Sequence, residues 1–233
     1  MIQLTRKGVV FTGGPQELDF LREKYDRDNY VILPQLYEST LLDEIVQRVE
    51  AARFLPRNHE GYALESCMAD RATMAMLTFF PNNPAFLRLV EQITGQPQIG
   101  LFFGRVYRMT SSEGHHQDWH DDLYAHRIAT MSVNLSRQIF DGGALQIKRL
   151  GSDEILQDVR NTGFGDALLF RVSQGLLHRV EEIRGNVPKT AFVGWFFDVE
   201  DVLPKLRKNP LPDSRNLTNN DPDWEVPEAD KRE

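Results

Sequence analysis

Apolar residues recur at helical spacing in three stretches of the first hundred residues. "PQELDFLREKY" (15–25) reads as an amphipathic helix with Pro15 at its start. "STLLDEIVQRVEAARF" (39–54) is the clearest, with Leu42, Ile45, Val46 and Val49 on one stripe and Ser39 or Thr40 as cap. "NPAFLRLVEQITG" (83–95) predicts a third, closed by Gly95. Between the first two, "YVILP" (30–34) reads as a short apolar strand.

After Gly95 the pattern shortens to strand-like runs separated by Gly and Asp turns. They are 98–109, 127–136, 143–150, 166–172, 177–183 and 189–199. This spacing predicts an antiparallel sandwich or barrel. In "ATMSVNLS", Thr130, Ser132, Asn134 and Ser136 share one face and Met131, Val133 and Leu135 the other. The polar face could meet solvent or line a barrel that holds a polar ligand; alternation alone does not choose. The expected organisation is one structural domain in three parts: an N-terminal helical support (1–97), a β core (98–205) and an extended C-terminal tail (206–233) rich in Pro, Asn and charge.

Composition changes this picture little: 41% hydrophobic and 26% charged residues describe an ordinary globular chain. With 27 basic against 34 acidic residues, the net charge of −7 argues against nucleic acid as a partner. One cysteine, Cys67, excludes an intrachain disulfide, and "MIQLTRKGVVFTGG" lacks a signal-peptide core. No apolar run is long enough for a membrane span. A cytoplasmic protein that engages no membrane is the expectation.

The chemistry concentrates in "GHHQDWHDDLYAH" (114–126), which holds His-x-Asp twice, as His116-Gln117-Asp118 and His120-Asp121-Asp122. Two imidazoles and a carboxylate on one face of an octahedral ion leave positions open for a chelating co-substrate and dioxygen, which suits Fe(II). His-x-Asp at a strand end can supply two ligands by alternation. The second His must come from elsewhere, and His178 in "SQGLLHRVEEI" is the single histidine after His126.

Taken in order, Trp119-His120-Asp121-Asp122, "RIATMSVNLS", "GGAL" (142–145), "GDALLF" (165–170), "LHRV" (177–180) and "PKTAFVGWF" (188–196) resemble the iron(II)/2-oxoglutarate-dependent oxygenases, in particular the prolyl 4-hydroxylase-like group. The resemblance spans roughly residues 98–199, and "YDRDNYVILP" is a softer match before it. It implies a mainly β fold with flanking helices: a double-stranded β-helix, or jelly-roll, of the cupin kind. It implies that His120, Asp122 and His178 bind Fe(II), with no further catalytic residue, and that Lys189 pairs with the distal carboxylate of 2-oxoglutarate. Many relatives have Arg there. Tyr107 and Asn134 fall where relatives line the co-substrate pocket.

The implied reaction converts 2-oxoglutarate and O2 to succinate and CO2 while an unactivated C–H of an amino-acid, peptide or small-metabolite substrate is hydroxylated. Asp122 is the carboxylate that halogenating relatives lack.

His116 and Asp118 compete with the second pair, and His116 otherwise reads as a substrate contact. Arg184 competes with Lys189 but adjoins the Gly185-Asn186 turn, whereas Lys189 shares strand parity with Ala191, Val193 and Trp195. Arg127 and Arg105 are candidates for an acidic substrate group. Two rival readings are a non-catalytic cupin-like metal or ligand binder and a cupin enzyme that does not use 2-oxoglutarate. Neither rival needs an inward cation at Lys189.

Overall fold

The computed structural model describes residues 1–59, 63–123 and 126–198. The expected tail at 206–233 lies outside the described residues. A hairpin of β1 (Ile2–Thr5) and β2 (Gly8–Phe11) opens the chain. Helix α1 (Pro15–Asp28) follows, with Pro15 in its first turn and Asn29 as a left-handed C-cap. Strand β3 (Tyr30–Leu33) leads to α2 (Ser39–Ala51). Neither Ser39 nor Thr40 caps α2: the helix starts at Ser39, and Glu38, the N-cap, makes no side-chain cap bond. Leu41, Leu42, Ile45, Val46 and Val49 are all buried, so packing rather than a cap holds this helix.

The hairpin β4 (Phe54–His59) and β5 (Ala63–Met68) and the helix α3 (Arg71–Phe79) come next. Asp70 caps α3 by accepting from the N–H groups of Ala72 and Thr73. Helix α4 (Pro84–Thr94) is capped by Asn83 and closed by Gly95 at φ 70°. The β core then runs β6 (Ile99–Met109), β7 (His116–His120), β8 (Arg127–Asn134), β9 (Asp141–Gly142), β10 (Leu145–Arg149) and β11 (Ile155–Val159). It ends with β12 (Ala167–Arg171), β13 (Leu176–Val180), β14 (Ile183–Arg184) and β15 (Lys189–Asp198).

Eleven strands form one curled antiparallel sheet in the order β11-β10-β13-β7-β5-β6-β15-β8-β12-β3, with β4 on β5, while β1-β2 and β9-β14 are separate two-stranded sheets. Strand β5 is the seam: it pairs with β6 on one side and β7 on the other. The sheet folds over so that Leu145, Ile147 and Val159 pack on Leu168 and Phe170 of the opposite run. This is the jelly-roll architecture. Within 1–97 the expected strand at 30–34 is β3, which pairs with β12, whereas the β4–β5 hairpin, whose β5 forms the seam, was not expected. "FLPRNH" and "ALESCM" carry no alternation of apolar and polar residues, so pattern alone does not mark them.

The helices cover the outer face of the long sheet. Met131 and Val133 of β8, Phe192 and Phe196 of β15, and Phe102 and Val106 of β6 are fully buried with Ile45, Phe86 and Val90. Each such side chain contributes about 1.5–3 kcal/mol of burial. Gly194 pairs with Gly104 across β15 and β6, and a Cβ at Gly194 would lie 2.5 Å from Phe102 Cζ. The glycines make room for the phenylalanine rings beneath the helices. Among the described residues no helix is long and apolar enough to cross a membrane.

Candidate metal centre

Strand β7 pairs with β13, and His120 sits directly opposite His178. The next pair is Gln117 with Val180, so three steps along β7 match two along β13. The extra residue is a β-bulge, and it reverses the expected alternation. Gln117 and His120 both line the interior cavity. His116, paired with Leu64 on the adjoining strand, does not; its Nδ1 meets the Gly114 carbonyl at 2.8 Å. Asp118 is mostly exposed, and its carboxylate is 3.8 Å from His116 Nε2.

The imidazoles of His120 and His178 lie 4.2 Å apart between ring centroids. His120 Nδ1 donates to the Asp118 carbonyl at 2.7 Å, which leaves Nε2 with its lone pair turned towards Asp122. Burial, and then the neighbouring His178, push the His120 pKa down and favour the neutral, ligating form.

Asp122 lies two residues beyond the end of β7 at φ 59°, in the left-handed region. Alternation along a strand therefore does not aim it. Its Oδ1 is 3.6 Å from His120 Nε2 and its Oδ2 3.3 Å from His178 Nε2. Trp195 Nε1 donates to Oδ2 at 2.7 Å, Thr130 Oγ1 donates to Oδ2 at 3.4 Å, and Arg127 donates to Oδ1 at 3.2 Å. Burial alone would raise this carboxyl, but the His178 hydrogen bond and the nearby His120 and Arg127 hold it well below the usual range. Asp121, between the two, closes the turn by accepting from the Leu123 N–H at 3.0 Å.

One ligand atom from each of His120, Asp122 and His178 lies within 4.8 Å of the others, and among the described residues no other such group occurs. Two imidazoles and one carboxylate converging on one point fit a facial triad for Fe(II).

The triad opens into a cavity of about 410 Å³. Thr130, Ser132 and Asn134 of β8 line it, so the polar face of this strand points inward. From β15, Lys189, Ala191, Val193 and Trp195 face the same space. The Lys189 ammonium donates to the Gly143 carbonyl at 2.7 Å and lies 5.8 Å from the Phe140 ring. No carboxylate among the described residues pairs with it, and burial pushes its pKa down to about 8. A half-buried cation with no carboxylate partner among the described residues is a site that a dicarboxylate would complete. Arg184, its rival, is exposed and 4.0 Å from Glu181, outside the cavity lining.

Tyr107 is buried and lines the cavity, its hydroxyl pushed well above its ordinary pKa by burial and then by Glu65. Asn134 lines it too, but its amide is committed to backbone: Nδ2 donates to Thr162 O at 2.7 Å and Oδ1 accepts from Ser136 N at 2.9 Å. Arg105 reaches the cavity from β6. Arg127 also lines it, and its guanidinium stacks on Trp195 at 3.8 Å as well as pairing with Asp122. Sequence reasoning missed Trp195 as a partner of Asp122, although its parity with Lys189 was visible. It also missed Arg57, Glu65 and Gln117. Glu65 is buried and accepts from Gln117 Nε2 at 3.0 Å, and Arg57 faces it across the β4–β5 pair. No pattern in "FLPRNH" marks these.

Residues 104–197 match the model of the 2OG-Fe(II) oxygenase superfamily. The match covers 94 of the 233 residues of the chain. Fe(II) and 2-oxoglutarate, from which that superfamily takes its name, fit the cluster of His120, Asp122 and His178 in this chain. Its fold is shared by an oxidoreductase of the 2OG-Fe(II) oxygenase family from Burkholderia pseudomallei, at TM-score 0.60 and 15% identity over 84% of this chain and 96% of that one. A Pseudomonas putida prolyl-4-hydroxylase has TM-score 0.58 and 14% identity, covering 78% and 99%. The α-ketoglutarate-dependent epimerase SnoN from nogalamycin biosynthesis has TM-score 0.59 and 18% identity, covering 79% and 84%. No curated protein matches this chain in sequence.

Proposed function

We propose that the oxygenase hydroxylates an unactivated C–H bond of an amino-acid, peptide-bound or small-metabolite substrate. In the balanced reaction, one O2 supplies one oxygen atom to the new hydroxyl and one to succinate, and 2-oxoglutarate loses CO2. His120, Asp122 and His178 would hold Fe(II), and Lys189 would hold the far carboxylate of 2-oxoglutarate with Tyr107 beside it. The observation that carries this reading is the pairing, in one cavity, of a three-ligand cluster with a half-buried lysine that has no carboxylate partner among the described residues.

When bound, Fe(II) with 2-oxoglutarate supplies the O2-activating chemistry that the side chains lack. The chain's own work is positioning. His120 and His178 would present ring nitrogens, Asp122 would contribute the third ligand, and the apolar wall of Leu145, Leu168, Phe170 and Val180 would keep water from the centre. Asn134 braces the 162–163 turn rather than offering a free donor. Arg105, with Arg57 and Glu65 from the β4–β5 hairpin, would meet a polar or charged part of the substrate. Arg127 is tied to Asp122, and His116 lies off the cavity, so neither is assigned to substrate.

The test is anaerobic addition of Fe(II) and 2-oxoglutarate. A visible charge-transfer band, and then succinate formed in air, is the expected result. A metal that binds without that band would favour a cupin-like binder; absence of both band and succinate overturns the oxygenase reading.

A further inference from the structure

We infer that Trp195, backed by Arg127 and Thr130, is a positioning residue that fixes the rotation of the Asp122 carboxylate and leaves it a single oxygen for the metal. The inference rests on the metal reading proposed above and adds a residue from β15, far in sequence from both His-x-Asp pairs.

Asp122 needs such a device. His120 and His178 are held by paired strands, and the His120 ring is pinned at Nδ1. Asp122 has left the strand and sits at φ 59° in the β7–β8 connection. A carboxylate there can spin about its last bond unless other groups hold it. Three side chains do. Trp195 Nε1 makes the shortest bond, 2.7 Å to Oδ2, and Thr130 Oγ1 approaches the same oxygen at 3.4 Å. Arg127 reaches Oδ1 at 3.2 Å while its guanidinium lies 3.8 Å from the Trp195 ring centroid. Indole and guanidinium thus hold each other as well as the carboxylate.

The choice of donor matters. An indole N–H donates and cannot ligate, so it marks Oδ2 without competing for the metal. Oδ2 already takes two protein donors. Among the described residues Oδ1 accepts from Arg127, which leaves it a second lone-pair direction for a metal. An octahedral ion with two imidazoles has four positions left. A chelating keto acid takes two and O2 one, so the carboxylate must take one. If both oxygens ligated, the O2 position would be lost. Trp195 holds the carboxylate to one oxygen, and it does so from the strand that carries Lys189, which ties the two ends of the co-substrate site to one rigid element.

Trp195→Phe keeps an aromatic ring for Arg127 and removes the N–H. Fe(II) and Co(II) dissociation constants, measured anaerobically by competition with a chromophoric chelator, should rise about 10- to 100-fold. The visible bands of the Co(II) form should change as the carboxylate reorients, while the melting temperature of the metal-free protein stays near wild type. Unchanged affinity and Co(II) spectrum, with only a loss of stability, would overturn the proposal, since that is what a merely structural tryptophan gives. If Trp195→Phe does not fold, Thr130→Val tests the same oxygen: a smaller loss of affinity supports the clamp, and wild-type affinity overturns it. If His178→Ala binds Fe(II) as tightly as wild type, the metal reading itself falls, and the clamp with it.

Discussion

His116-x-Asp118 and His120-x-Asp122 have the same composition and lie four residues apart, yet they come to different ends. The first pair sits off the cavity, with its imidazole on a turn carbonyl and its carboxylate in solvent. The second pair meets His178 beneath the sheet. The bulge in β7 separates them. Without it His116 and His120 would share a face; with it Gln117 takes the inward place. Ligand-type residues are thus not a site until the backbone register chooses among them. The second lesson concerns the carboxylates. Asp118 contributes its backbone carbonyl, which orients His120, whereas Asp122 contributes its side chain.

The largest effect should come from the second pair. His120→Ala is expected to abolish Fe(II) binding in an anaerobic titration, and His116 should not rescue it. Retained tight binding would move the centre to the first pair. Deleting Asp118 leaves Gln117 and His120 facing inward two residues apart but removes the carbonyl that orients the His120 ring, so Fe(II) affinity should fall in a chain that circular dichroism reports as folded. By contrast Asp118→Ala, which keeps the carbonyl and the register, should leave it intact.

Next in size is the far end of the cavity. Lys189→Met should raise the 2-oxoglutarate KM about 10- to 100-fold, the worth of one charge-assisted hydrogen bond, with Fe(II) affinity unchanged. An equal loss of both would mean that Lys189 shapes the metal end instead.

The pH dependence of the same residue is smaller. Its pKa of about 8, against an ordinary 10.5, means that between these values the unfolded chain holds a proton that the folded chain has released. Its contribution to stability therefore rises as pH climbs through that window. Co-substrate affinity runs the other way, since the dicarboxylate needs the ammonium, and should weaken above about pH 8. A 2-oxoglutarate KM that is flat from pH 7 to 10 in the wild type and sloped in Lys189→Met would contradict this. The smallest effect is His116→Ala, whose melting temperature should match wild type to within about 0.5 kcal/mol of stability, as at an ordinary surface position.

Much of this molecule is legible in its sequence. The apolar stripe of residues 39–54, the Pro84 and Gly95 punctuation of α4 and the strand series after Gly95 all depend on local period and turn chemistry, which a chain carries within a few residues of itself. The ordered motifs from Trp119 to Trp195 carry the family resemblance for the same reason. The β4–β5 hairpin was not legible, because "FLPRNH" and "ALESCM" owe their strand state to neighbours β6 and β7 rather than to their own pattern. Which face of "ATMSVNLS" points inward was equally undetermined. Met131 and Val133 are claimed by the helices on the outer side, and that leaves Thr130, Ser132 and Asn134 for the cavity.

Local sequence supplies the residue types available for a metal and the period of the strands that carry them. Folding alone selects which of the two His-x-Asp motifs turns inward, and sets Trp195 against Asp122. The reason is that a bulge and a loop carboxylate take their geometry from partner strands distant along the chain, and local sequence carries no record of that pairing.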